Sequence, residues 1–216
     1  MIAMLQLALP ALFAASVLAV GEAPPVPGGC SAPAAENQDQ PGCYLSAELQ
    51  LASAPPSLYW HIHEASDLAT ATAEARRHPW SRVIRSHSRD WLYVLSESSA
   101  RIDFGIHKST IGPLALPAGR PTTIRFIESV FPPGMQTRVH AHPGVEAFYV
   151  VEGEQCMETP SERIRIPAGG SFIVPGGPHV QTSPKGRRNL AMLAVPERAP
   201  WMTLETDWKP TEFCAR

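Results

Sequence analysis

The chain has 216 residues with 18 basic and 20 acidic side chains, a formal charge of −2. That length suits one domain, or one domain with a smaller attached unit. The balanced charge supplies no basic face, so nucleic acid is not an expected partner. Hydrophobic residues make up an ordinary 44%, and 23 prolines favour loops and short strands over long helices.

Residues 1–23 read as a signal peptide. Ile2 to Val20 is almost wholly apolar, broken by Gln6, Pro10 and Ser16, and small residues near Ala19 or Ala23 offer a cleavage point. Basic residues before the apolar run are missing, and the rival reading is an uncleaved anchor, against which the shortness and Pro10 both count. The expectation is a secreted or periplasmic protein, touching a membrane only through this segment if it is uncleaved.

Export gives the four cysteines a meaning, because such a compartment permits disulfides. Cys30 and Cys43 enclose a loop rich in proline, glycine and polar residues, which a bridge would order by about 2–3 kcal/mol. Cys156 and Cys214 form the remaining pair, tying the C-terminal tail to the body. In a reducing compartment the same four would be inert thiols. No CxxC occurs, so a thioredoxin-type site and a zinc ribbon lack support.

Residues 24–56 lack periodicity and read as a Pro/Gly-rich linker. A small α/β extension is expected over 57–110. SLYWHIH alternates Leu58, Trp60 and Ile62 against Tyr59, His61 and His63, a strand pattern. EASDLATATAEARRH has good helix formers and is stopped by Pro79. SRVIRSH and DWLYVLSES read as two more strands. His61 and His63 share a face, but no carboxylate follows at useful spacing, so a packing role is favoured over a ligand role. His78, His87 and His107 are isolated.

From Arg101 onward the chain reads as strand and turn: RIDFGIH, PLALP, TTIRFIESVF, ERIRI, SFIVP, HVQT and NLAMLAV, with WMTLETDWKP able to add a last strand. Strands at this spacing indicate a sandwich or barrel. Between Gly134 and Gly153 the run GMQTRVHAHPGVEAFYVVEG holds the chemistry. His140 and His142 share one strand face. Pro143-Gly144 offers a bend, and Glu146 opens the next strand. Two imidazoles and a carboxylate suit one divalent transition metal: iron, manganese, nickel, copper or zinc. Packing alone does not explain them, since burying three such groups without a partner is costly.

Gly134, His140, His142, Glu146 and Gly153 match, without a gap, the first motif of the cupin superfamily: Gly, five residues, His-x-His, three residues, Glu, six residues, Gly. Gly169, Pro175, Gly177 and His179 resemble the second motif, with His179 one residue early and Thr182 or Ser183 in place of a closing asparagine. The resemblance covers about residues 115–200. It implies a mainly β fold, a cupin double-stranded β-helix or jelly-roll barrel over 111–208, followed by a tail at 209–216. It also implies that His140, His142, Glu146 and His179 hold the metal, and that two copies pair as a homodimer. If His179 reaches the metal the site has three His and one Glu; if not, two His and one Glu remain. In some cupins the glutamate leaves the metal and acts as a base, which makes Glu146 the catalytic candidate.

Arg125, Gln136, Arg138 and Tyr149 lie near the motif and are candidates to touch substrate. Phe148 and Val150 share parity with Glu146, so the interior beside the metal should be largely apolar and suit a small, partly apolar molecule. Cys156 is a candidate cavity thiol if it is not in a disulfide. Two functions are consistent with these residues. One is a metal-dependent enzyme, oxygenase-like or otherwise an isomerase or lyase, acting on a small organic molecule. The other is a non-catalytic cupin of the cell envelope that binds a small molecule or sugar.

Overall fold

A computed structural model describes residues 24–215; the signal-peptide reading of 1–23 lies outside them. After a 3-10 turn at Ala34–Glu36 come β1 (Gly42–Leu51), β2 (Ser57–Ala65), helix α1 (Leu68–Ala75), β3 (Ser81–Ser86), β4 (Arg89–Ser96) and β5 (Ile106–Ala115). They are followed by β6 (Thr122–Phe131), β7 (Met135–Gln136), β8 (His140–Ala141), β9 (Glu146–Glu158) and β10 (Arg163–Pro167). The last strands are β11 (Ser171–Val174), β12 (Val180–Ser183), β13 (Arg187–Pro196) and β14 (Thr203–Leu204), before a 3-10 turn at Phe213–Ala215.

The larger sheet runs β1-β6-β13-β9-β12-β7, with β10 and β11 also on β9. Its ladders are antiparallel, and it curls into the expected half-barrel of a jelly roll. The second sheet runs β3-β4-β2-β5, with α1 packed on β3 and β4. Asp67 starts that helix by accepting Thr70 N–H on Oδ1 at 2.7 Å, satisfying an otherwise unpaired first-turn donor.

The main core lies between the two sheets, where Trp60, Tyr93, Leu114, Phe126, Tyr149 and Met192 meet. Trp60 and Tyr93 pack edge to face with centroids 5.3 Å apart, a favourable aromatic geometry. β9 is buried on both faces. Tyr149 and Val151 face the inter-sheet core, while Phe148 and Val150 face a smaller cluster with Met157 and Val174. This explains why its sequence is apolar at consecutive positions instead of alternating.

Part of the segment expected to be a linker is a strand. Gly42–Leu51 pairs with β6 across nine register positions. Its register shifts between Leu45 and Ala47, leaving Ser46 as the extra residue of a bulge. Cys43 belongs to the cluster inside the barrel, whereas Leu49 and Leu51, of the same parity, belong to the inter-sheet core. The bulge reverses which face odd residues take, so no single alternation runs through the segment. RIDFGIH and PLALP are likewise not two strands: β5 runs unbroken from Ile106 to Ala115 and carries position 110, the expected edge of the extension, in its middle.

His61 and His63 are fully buried on β2, an internal strand of the second sheet. His61 bonds Thr110 Oγ1 through Nδ1 and the Ser98 carbonyl through Nε2; His63 Nδ1 donates to the Phe104 carbonyl. Among the described residues no helix is long and apolar enough to cross a membrane.

Candidate metal centre

Four short pieces of chain set the site. β8 carries His140, the bend after it carries His142, β9 opens with Glu146, and His179 stands just before β12. The backbones of His140 and His179 exchange two hydrogen bonds, N–H to O at 3.1 and 2.9 Å. That reciprocal pairing sets their imidazoles side by side, with ring centroids 4.3 Å apart. His179 is therefore placed by its pairing with His140, and its early position in the second motif does not carry it away. Glycine is required in the bend, because a Cβ on Gly144 would strike the Ala194 carbonyl oxygen. Gly153, at the far end of the first motif, has φ of +75° and would meet the Gly186 carbonyl in the same way.

Each imidazole is pinned through Nδ1. His140 Nδ1 lies 2.8 Å from the Arg138 carbonyl, His142 Nδ1 2.8 Å from the Trp201 carbonyl, and His179 Nδ1 3.2 Å from the Gly177 carbonyl. A carbonyl can only accept, so Nδ1 carries the proton and Nε2 is left with its lone pair. One ligand nitrogen from each of the three histidines lies within 4.8 Å of the other two. Glu146 Oε2 is 3.1 Å from His179 Nε2 and 3.5 Å from His142 Nε2. Neither contact has hydrogen-bond geometry, and Oε2 of Glu146 and Nε2 of His179 are buried without a hydrogen-bond partner. Such orphaned atoms are costly unless something binds them.

Electrostatics point the same way. Burial, and then the neighbouring imidazoles, push the His140 pKa down to about 3, and His142 shifts downward too, again chiefly by burial. Burial alone would raise the Glu146 pKa, but the histidines around it override that and hold the carboxyl far below its usual range. At neutral pH His140 and His142 are thus neutral imidazoles and Glu146 an ionised carboxylate, the protonation states that metal ligation requires. The donor set of three ring nitrogens and one carboxylate fits a divalent transition metal.

A cavity of about 180 Å³ opens beside these residues. His140, His142 and Glu146 line it, together with Ile127, Phe131, Phe148 and Leu193 from the barrel strands. The Cys30–Cys43 disulfide and the segment leading into it, with Val26 and Gly29, form part of its wall, and Trp201 and Met202 form another part. Trp201 stacks on His142 at 5.8 Å.

Among the wall residues that the sequence does not single out are Gln181, Arg187, Asn189 and Trp201. Gln181 lies two residues past His179, a spacing that could have flagged it. Of the residues named as substrate candidates, Arg138 lines the cavity. Arg125 instead pairs with Glu48 at 2.8 Å, and Tyr149 faces the inter-sheet core. Gln136 is on β7, paired with Thr182, and is not part of the wall. Val150 packs beneath the wall, while Phe148 is in it. Cys156 is bonded to Cys214 and is no free thiol.

Residues 127–195 match the family model of the cupin domain, and this part of the chain is a cupin domain. A search of curated proteins gave no match. Among solved structures, the chain is similar to an RmlC-like cupin from Shewanella frigidimarina, at 28% identity over 35% of this chain and 68% of that one, with a TM-score of 0.32. A DMSP lyase from Ruegeria pomeroyi is 19% identical over 38% of this chain and 42% of its own, with a TM-score of 0.34. A salicylate 1,2-dioxygenase from Pseudoaminobacter salicylatoxidans is 17% identical over 35% and 24%, with a TM-score of 0.31.

Proposed function

We propose that this protein is an exported, metal-dependent enzyme acting on a small organic molecule, with His140, His142, His179 and Glu146 as ligands. One observation carries the reading. Three imidazoles, each fixed through Nδ1, bring one ligand nitrogen apiece within 4.8 Å of one another, and two of them, His142 and His179, hold Nε2 within 3.5 Å of a buried carboxylate oxygen that has no hydrogen-bond partner of its own.

A divalent metal bound there would supply Lewis acidity and open positions for substrate or oxygen. The chain does the rest. The three Nδ1–H bonds fix ring orientation and favour the ligating tautomer. Gln181 occupies Oε1 of Glu146, so Oε2 is the atom that faces the cluster and would receive a proton if Glu146 serves as base. Phe131, Phe148 and Leu193 exclude water and suit a small, partly apolar substrate. Two disulfides, Cys30–Cys43 and Cys156–Cys214, support an oxidising compartment outside the cytoplasm.

The test is metal content by mass spectrometry on protein purified without a metal-affinity column, followed by oxygen-uptake, isomerase and lyase screens. About one equivalent of transition metal, lost in His142→Ala, is the expected result. No uptake even after reconstitution would overturn the metal site. Full occupancy with no turnover in any screen would favour a small-molecule-binding cupin instead.

A further inference from the structure

Beside the histidine cluster the cavity wall holds a cation that no carboxylate among the described residues bonds. Arg187 opens β13, is 4% exposed, and lays its guanidinium over the Phe131 ring at 3.9 Å. Nη1 donates to Ser129 Oγ at 2.7 Å and Nη2 to Gln181 Oε1 at 3.2 Å, while Nε is buried with no hydrogen-bond partner. Both partners are neutral. A buried charge is expensive unless a counter-charge and full hydrogen bonding compensate it.

Another arginine in the same chain shows what is missing. Arg85 grips Asp90 with Nε and Nη2, the two nitrogens along one edge, at 2.7 and 2.8 Å. On Arg187 that edge carries one amide oxygen at Nη2 and nothing at Nε. Burial lowers the Arg187 pKa to about 9, against the pull of Glu146, so the group stays cationic at neutral pH. Among the described residues Glu146 is the one carboxylate of the cavity wall, and its hydrogen-bonded link to Arg187 runs through the Gln181 amide. A divalent metal on the histidines would therefore leave the cavity with a net positive charge.

We propose that Arg187 is the subsite for the anionic group of the substrate, and that the substrate is a small organic acid whose carboxylate meets the Nε–Nη2 edge while its apolar body lies against Phe131 and Phe148. A planar carboxylate fits this fork with two parallel hydrogen bonds, which an amide or alcohol cannot reproduce with equal strength. The proposal rests on the reading of the cavity as the substrate site, but it does not need the metal to be present.

Calorimetric titration tests it with matched pairs, butyrate against butyramide and benzoate against benzamide, on manganese-loaded and on chelator-treated protein. Wild type should bind each acid about tenfold or more tightly than its amide. Arg187→Gln should abolish the preference with metal content unchanged. Arg187→Lys, which keeps the charge without the fork, should retain only part of it. Equal affinity for acid and amide in wild type, or no binding of either series, overturns the proposal without recourse to any variant. A preference that survives in a folded Arg187→Gln protein overturns it as well. Failure to take up manganese, iron, nickel, copper or zinc while chelator-treated protein still prefers the acids would sink the metal reading and leave the anion subsite standing.

Discussion

Gln181 Nε2 donates to Glu146 Oε1 at 2.9 Å, and the oxygen of the same amide takes Gln155 Nε2 and Arg187 Nη2, each at 3.2 Å. With two donors on its oxygen, the amide can sit only one way round, and its N–H is committed to Glu146. Partners of this kind orient a ligand without touching what it binds. Gln181→Leu should lower metal affinity by about 10- to 100-fold, read by competition against a chromophoric chelator. Unchanged affinity would show that Glu146 needs no such support.

Removing a histidine tests the cluster itself. His142→Ala should abolish most metal binding while the far-ultraviolet circular dichroism stays that of the wild-type barrel. His179→Ala should weaken binding too, because the backbone pairing with His140 places its ring in the cluster. Full metal occupancy in either variant would remove that residue from the ligand set.

Acid should destabilise the metal-free protein. In the unfolded chain a histidine takes its proton near pH 6.5, whereas folding pushes His140 to about 3 and moves His142 the same way. The folded values lie below the unfolded ones, so this contribution is whole above about pH 6.5 and is lost as pH falls toward 3. The slope should reach up to about 1.4 kcal/mol per pH unit for each histidine. Urea melts between pH 7.5 and 4 measure it, and His140→Gln should flatten the profile. A slope identical in wild type and variant would mean that His140 titrates freely in the fold.

The two disulfides should differ in weight. Cys30–Cys43 spans 13 residues and Cys156–Cys214 spans 58. Loop-closure entropy then gives about 3 kcal/mol for the first and about 4 for the second. The second also carries the tail, which Glu158 grips through Thr211 N–H, Thr211 Oγ1 and Cys214 N–H. Denaturant melts of the two double-serine variants check the order, and a larger loss from the Cys30/Cys43 pair would contradict it.

The barrel strands and the His140–His142–Glu146 grouping are legible in the sequence because they depend on local rules: alternation, turn residues and a motif spacing within twenty residues. The support around them is not. Gln181 and Arg187 reach Glu146 and Ser129 only after β12 and β13 fold back across the sheet, contacts that spacing alone does not announce. Trp201 is found through the return of the chain across His142, beyond the last long strand. β1 was hidden for another reason: its bulge breaks the alternation by which a strand is recognised.

That bulge also fixes how the segment can change over time. Ser46 has no partner of its own in the register, yet it separates Cys43, which closes a disulfide in the cavity wall, from Leu49 and Leu51 in the inter-sheet core. Delete one residue there and one half of the strand must turn its side chains to the wrong side. A stretch whose composition suggests free drift in length is therefore held to an exact count by two interiors at once.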